Sequence, residues 1–126
     1  KMKCLDRCKE LQIPTVLVPT IAKGFNDDEV GAILDLAMSL DFVTSVTFQP
    51  MAYTGAGGSS FPNPELNKIT QVDMHKLLAA QTTWLKKTDF LPIPCSHPSC
   101  YTACYVLKTD DGKADHHEDR RLHEET

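Results

Sequence analysis

Thiol, imidazole and hydroxyl side chains crowd the run Cys95-Ser96-His97-Pro98-Ser99-Cys100-Tyr101-Thr102-Ala103-Cys104, which holds three cysteines and a histidine within ten residues. Sulfurs that close together on a short, turn-rich backbone can converge on one metal centre. The cysteines are separated by four and then three residues, and no second pair follows. Structural zinc sites prefer pairs about two to four residues apart, with a second pair further along. Iron–sulfur clusters accept more varied spacings and can leave one iron to a distant ligand. Cys95, Cys100 and Cys104 are therefore read first as ligands of an iron–sulfur cluster, and second as zinc ligands together with His97. The third alternative is a set of reduced, unliganded thiols, which pack as small apolar groups.

Other chemistry-bearing residues carry weaker signals. Cys4 and Cys8 are four apart, the spacing that sets two side chains on one helix face, and they read as core-facing helix residues. His75 has no second ligand a turn away and reads as an exposed or hydrogen-bonded helix histidine. His116, His117 and His123 sit in a segment of dense mixed charge with one large apolar residue. Such a segment buries too little to offset its ordering entropy, so residues 109–126 are expected to be a frayed helix or a disordered tail.

The elements that would position these groups alternate between strand and helix. Cys4, Leu5, Cys8 and Leu11 recur at helical intervals over residues 2–12, opposite a charged face. This helix shows no start signal, and the chain reads as cut from something longer. Residues 13–20 (Ile13-Pro14-Thr15-Val16-Leu17-Val18-Pro19-Thr20) are β-branched and apolar, as a strand buried on both faces would be. Gly24-Phe25-Asn26-Asp27-Asp28-Glu29 supplies a turn and a helix start, and the helix is expected from about Asp27 to Leu40, with Val30, Ile33, Leu34, Ala37, Met38 and Leu40 on its apolar face. Residues 43–49 (Val43-Thr44-Ser45-Val46-Thr47-Phe48-Gln49) read as a second strand, reached by a crossover long enough for a helix. The three elements are expected to form a right-handed parallel unit. The glycine-, serine- and proline-rich stretch 51–67 is long for a connection in a compact domain, a feature of functional loops. Thr70 opens a third helix, expected from about Gln71 to Leu85, that carries Val72, Leu77, Leu78 and Ala79 to the core.

Composition bounds the classes. Hydrophobic residues make up 41% of the 126 residues, which suits one compact α/β domain at most. No run approaches the roughly 18 apolar residues of a membrane span, and Lys1-Met2-Lys3-Cys4-Leu5-Asp6-Arg7 lacks a signal-peptide core, so a cytoplasmic location is expected. Five cysteines, an odd number, argue against a disulfide framework. A net charge of −4 with no basic stripe makes nucleic acid an unfavoured partner.

Three motifs fall in a recognisable order. Gly24-Phe25-Asn26-Asp27-Asp28-Glu29-Val30 stands at a helix start, then Gln49-Pro50-Met51-Ala52-Tyr53-Thr54-Gly55 follows a strand, then comes Pro92-Ile93-Pro94-Cys95-Ser96-His97-Pro98-Ser99-Cys100. Together, across roughly residues 13–107, they resemble the radical S-adenosylmethionine enzymes, nearest in look to the branch of the tetraether-lipid synthases. The resemblance implies a fragment of a partial (β/α) barrel with parallel strands over residues 1–94, a cysteine-rich cluster segment over 95–108, and a charged tail over 109–126. It implies an enzyme in which a four-iron cluster and S-adenosylmethionine generate a 5′-deoxyadenosyl radical that abstracts hydrogen, here from a lipid or another large apolar substrate. By position it implies Thr20, Asn26 and Gln49 as contacts to S-adenosylmethionine, Tyr53 to Gly58 as a substrate wall, and Cys95, Cys100 and Cys104 as ligands of an auxiliary 4Fe-4S cluster. The family's catalytic Cys-x3-Cys-x2-Cys loop does not occur here, since Cys4 and Cys8 are followed by Leu11 at the third position. The implied partner is therefore the N-terminal part of the same barrel, with the chain alone inactive and its open sheet edges favouring self-association. A small zinc-stabilised binding module without catalysis is the alternative.

Overall fold

A computed structural model describes residues 1–53, 68–93, 101–108 and the backbone of 114–116. Helix α1 (Met2–Glu10) leads to strands β1 (Thr15–Leu17) and β2 (Thr20–Ile21), helix α2 (Val30–Ser39), and strands β3 (Val43–Val46) and β4 (Gln49–Pro50). Helix α3 (Gln71–Gln81) follows, then a 3-10 turn at Lys87–Asp89 and strands β5 (Leu91–Pro92), β6 (Thr102–Ala103), β7 (Val106–Lys108) and β8 (Ala114–His116).

The expected parallel unit is present, with β1 on β3 and β2 on β4. Bonds from Thr47 N to Leu17 O (2.8 Å) and from Gln49 N to Pro19 O (2.9 Å) carry the pairing across the break between β1 and β2. Pro19 falls in that break and has no N–H to offer the ladder, which interrupts what the sequence suggests is one strand. The pairing puts Val16 beside Ser45, Leu17 beside Val46, Thr20 beside Gln49 and Ile21 beside Pro50, with a bulge between Thr15 and Val16.

Side-chain alternation then separates two faces. Leu17, Val46 and Ile21 point toward the helices, where Ile21 and Val30 are wholly buried and cluster with Ile69, Met74 and Leu78, flanked by Phe48 and Phe90. Val16 and Val18 lie on the other face, 49% and 53% exposed, with Thr20, Ser45 and Gln49 also exposed. The expectation of burial on both faces is thus corrected. Among the described residues the helices cover one face only, so the second set of β-branched side chains is left bare.

The helices depart from expectation in instructive ways. Helix α2 begins at Val30 and not at Asp27, because Asn26 and Asp27 spend their side chains on the preceding turn. Helix α3 starts as expected, with Thr70 and Asp73 forming a capping box: Asp73 N donates to Thr70 Oγ1 and Thr70 N donates to Asp73 Oδ2. The Thr70 hydroxyl and main-chain bonds hold the Asp73 carboxyl below its usual range. The helix ends at Gln81, short of Leu85, and buries Met74 and Leu78 while Val72, expected in the core, is 59% exposed. None of the α1 residues is buried; Cys4 is exposed and Cys8 half-buried, which corrects their reading as core-facing. The tail is corrected at Ala114–His116, which pairs antiparallel with Val106–Lys108, so main-chain pairing orders part of a segment whose side chains promise little burial. No helix among the described residues is long and apolar enough to cross a membrane.

Candidate functional site

Parallel strands leave their C-terminal ends open to the loops that follow, and α/β folds place ligands there. In this chain that end is Thr20 beside Gln49, both exposed on the bare face. Asn26 is brought to the same place. Its Nδ2 donates to Thr20 O at 3.0 Å, and its Oδ1 accepts from Ala22 N at 2.9 Å. The three residues expected to contact a cofactor therefore share one end of the sheet, although they are 29 positions apart at the extremes of the sequence numbering, 20 to 49.

Their roles differ. Both polar atoms of the Asn26 carboxamide are engaged by main chain, so Asn26 shapes the loop, while the side chains of Thr20 and Gln49 are exposed at the strand ends. The loop is tightened further at Gly24, whose φ of 76° lies in the left-handed region that glycine adopts without strain. Gly24 N donates to Asp27 Oδ1 at 2.7 Å. Tyr53 is half-buried just beyond β4, and the rest of the expected substrate wall, residues 54–58, lies outside the described residues.

Two side chains that sequence reasoning passed over hold α2 at its ends. From the end of α3, Gln81 donates through Nε2 to Asp27 O at 2.7 Å and accepts at Oε1 from Gly31 N at 3.1 Å. At the other end, Lys108 donates to Ala37 O at 3.0 Å and Leu40 O at 2.8 Å, carbonyls that also accept from Leu40 N and Val43 N, and so sets a cation at the helix C-terminus. A glutamine closing one helix and a lysine in a strand carry no sequence signal of these contacts, since each partner is more than 50 positions away or close to it.

Beside β3 a cleft of about 530 Å³ opens between α2, α3 and the segment Tyr101–Val106. His75 lines it, its Nε2 lying 2.8 Å from Thr102 Oγ1 and its ring stacked on Phe90 at 4.3 Å between centroids and 8° between planes. Burial pushes the His75 pKa down, and its Nε2 contact with Thr102 fits the expected hydrogen-bonded helix histidine.

Of the three expected cluster ligands, only Cys104 falls among the described residues; Cys95, Cys100 and the alternative ligand His97 lie outside them. Cys104 is half-buried against the same cleft, and burial, seconded by the charge of Asp89, pushes its thiol pKa up. Among the described residues no three His, Cys, Asp or Glu side chains come close enough to hold a metal ion.

No family model matches the chain. It is similar to a 7,8-dihydro-6-hydroxymethylpterin dimethyltransferase of Methanocaldococcus jannaschii, at 32% identity over 136 aligned positions that take in 90% of this chain. The chain spans about a quarter of that curated relative's length, 26%.

Proposed function

We propose that these residues form part of the cofactor-binding sheet of a radical S-adenosylmethionine enzyme, as two neighbouring strands of a partial (β/α) barrel with their covering helices. The observation that carries this reading is the bare face of the parallel pair, where Thr20 and Gln49 stand side by side at the C-terminal end beside the loop shaped by Asn26. A hydroxyl and a carboxamide can each donate and accept, which suits the neutral ribose hydroxyls and adenine edge of S-adenosylmethionine. In that family the bound cluster and S-adenosylmethionine supply a 5′-deoxyadenosyl radical for hydrogen abstraction. The residues of this chain would orient the cofactor, and the radical-generating thiolates would come from a loop outside these 126 residues.

The similarity to a dimethyltransferase supports a whole protein that transfers one-carbon groups to a small molecule, a pterin in the relative's case. A lipid or other apolar substrate, as in the tetraether-lipid branch, is the second form of the reading, favoured by Val16 and Val18 on the same bare face. Cys95, Cys100 and Cys104 would hold an auxiliary 4Fe-4S cluster. Stoichiometric zinc without iron uptake on anaerobic reconstitution would replace it with the zinc-module alternative. The cytoplasm is the compartment in which such thiolate chemistry persists.

Calorimetric titration of the chain with S-adenosylhomocysteine, a stable analogue, tests the placement. Saturable binding is expected, weakened about tenfold by Thr20→Val or Gln49→Leu, the size of one lost hydrogen bond. Absent binding, or binding that both variants leave intact, overturns it.

A further inference from the structure

The loop that carries the candidate cofactor end is held from a distance. Asp27 sits within it, accepting from Gly24 N through its carboxylate and from Gln81 through its main-chain oxygen, both at 2.7 Å. The same Gln81 carboxamide receives Gly31 N at 3.1 Å. Gly31 is the second residue of α2, and its amide is one of those that a helix start leaves without an acceptor. Glu29, at the cap position, makes no side-chain bond to fill that need. The cap of α2 therefore comes from α3, fifty positions along the chain.

One carboxamide thus joins the helix start to the loop before it. Its two functions are chemically separable, because the oxygen serves α2 and the nitrogen serves the loop. Asp27 cannot shift without either breaking the Gln81 bond or releasing Gly24, and Gly24 lies between Ala22, which donates to Asn26 Oδ1, and Asn26, whose Nδ2 donates to Thr20 O. We propose that Gln81 is a positioning residue: it sets the conformation of residues 22–29 from α3 and thereby the geometry of the Thr20–Gln49 end. The ligand side of this inference rests on the cofactor reading above; the loop side rests on the hydrogen bonds alone.

The test compares Gln81→Glu with Gln81→Met in the same chain, by amide hydrogen exchange and by titration with S-adenosylhomocysteine. Glutamate keeps an acceptor for Gly31 N, at a helix end whose dipole favours it, and loses the donor to Asp27 O. In Gln81→Glu the Gly24 amide is expected to exchange about tenfold faster while Gly31 stays protected, and the analogue is expected to bind about tenfold more weakly. In Gln81→Met both amides exchange faster. Gly24 exchange unchanged in Gln81→Glu overturns the proposal whatever the ligand does. So does faster exchange with undiminished binding. A native chain that ignores the analogue yet shows the expected exchange pattern sinks the cofactor reading and leaves Gln81 as the clamp of the loop.

Discussion

His75 is where a single side chain exposes the physics of the cleft. Its ring stacks on Phe90 and its Nε2 meets Thr102, so the neutral imidazole is satisfied while the protonated form would lose hydration. The folded state therefore holds His75 below its ordinary value of 6.5, and the direction of the pH effect follows. The stability this contributes is complete above the unfolded value and is lost as pH falls toward and through the folded one, since the unfolded chain binds a proton there that the folded chain does not. Thermal unfolding followed from about pH 7.5 to about pH 5 should show the midpoint falling, with a shallower fall in His75→Phe. Equal slopes in the two proteins would remove His75 as the cause.

At the level of elements, the contact of α2 with α3 depends on Gly31. A Cβ placed there would lie 2.5 Å from the main-chain oxygen of Gln81 and 2.8 Å from its Cβ. Helix propensity favours alanine over glycine by about 1 kcal/mol, but a backbone oxygen cannot swing aside, and overpacking of this kind costs about 1–3 kcal/mol. The clash should win. Gly31→Ala is expected to lower the unfolding midpoint by several degrees, whereas a rise would mean that the helices separate freely.

The same elements mark how far the sequence could be read. Helical periodicity located α1, α2 and α3, and Thr70 marked the start of α3, because these are local matters settled within a few residues. The parallel strands were legible from their β-branched runs. What the runs could not reveal is that Val16 and Val18 stand 49% and 53% exposed among the described residues, since an apolar strand looks the same whether its second layer is present or not. Gln81 and Lys108 were opaque for a related reason: a cap supplied from another element leaves no pattern in the helix it caps. The expectation for Thr20, Asn26 and Gln49 came from family likeness, and the fold gathers them at one end of the sheet, with Asn26 serving the loop's own backbone.

For the molecule as a whole, the bare face sets the expected behaviour in solution. Val16 and Val18 adjoin a strand edge, and Leu11 and Ile13, 67% and 46% exposed, extend apolar surface toward α1. Exposed apolar surface beside a strand edge favours association with another copy of the chain. Light scattering during size-exclusion chromatography should give a mass above that of one chain, rising with concentration, and Val16→Lys combined with Val18→Lys should return it toward the monomer. A monomer at all concentrations would mean that the face is content in water.

The ammonium of Lys108 grips the Ala37 carbonyl in the last turn of α2 and the Leu40 carbonyl just past it. The β7–β8 hairpin is consequently anchored to a helical turn and not merely to a surface, and each fraying of that turn releases the strand as well. Two segments separated by some seventy positions are thereby obliged to melt together, which makes a protease cut near Lys108 a sensitive report on whether α2 is intact.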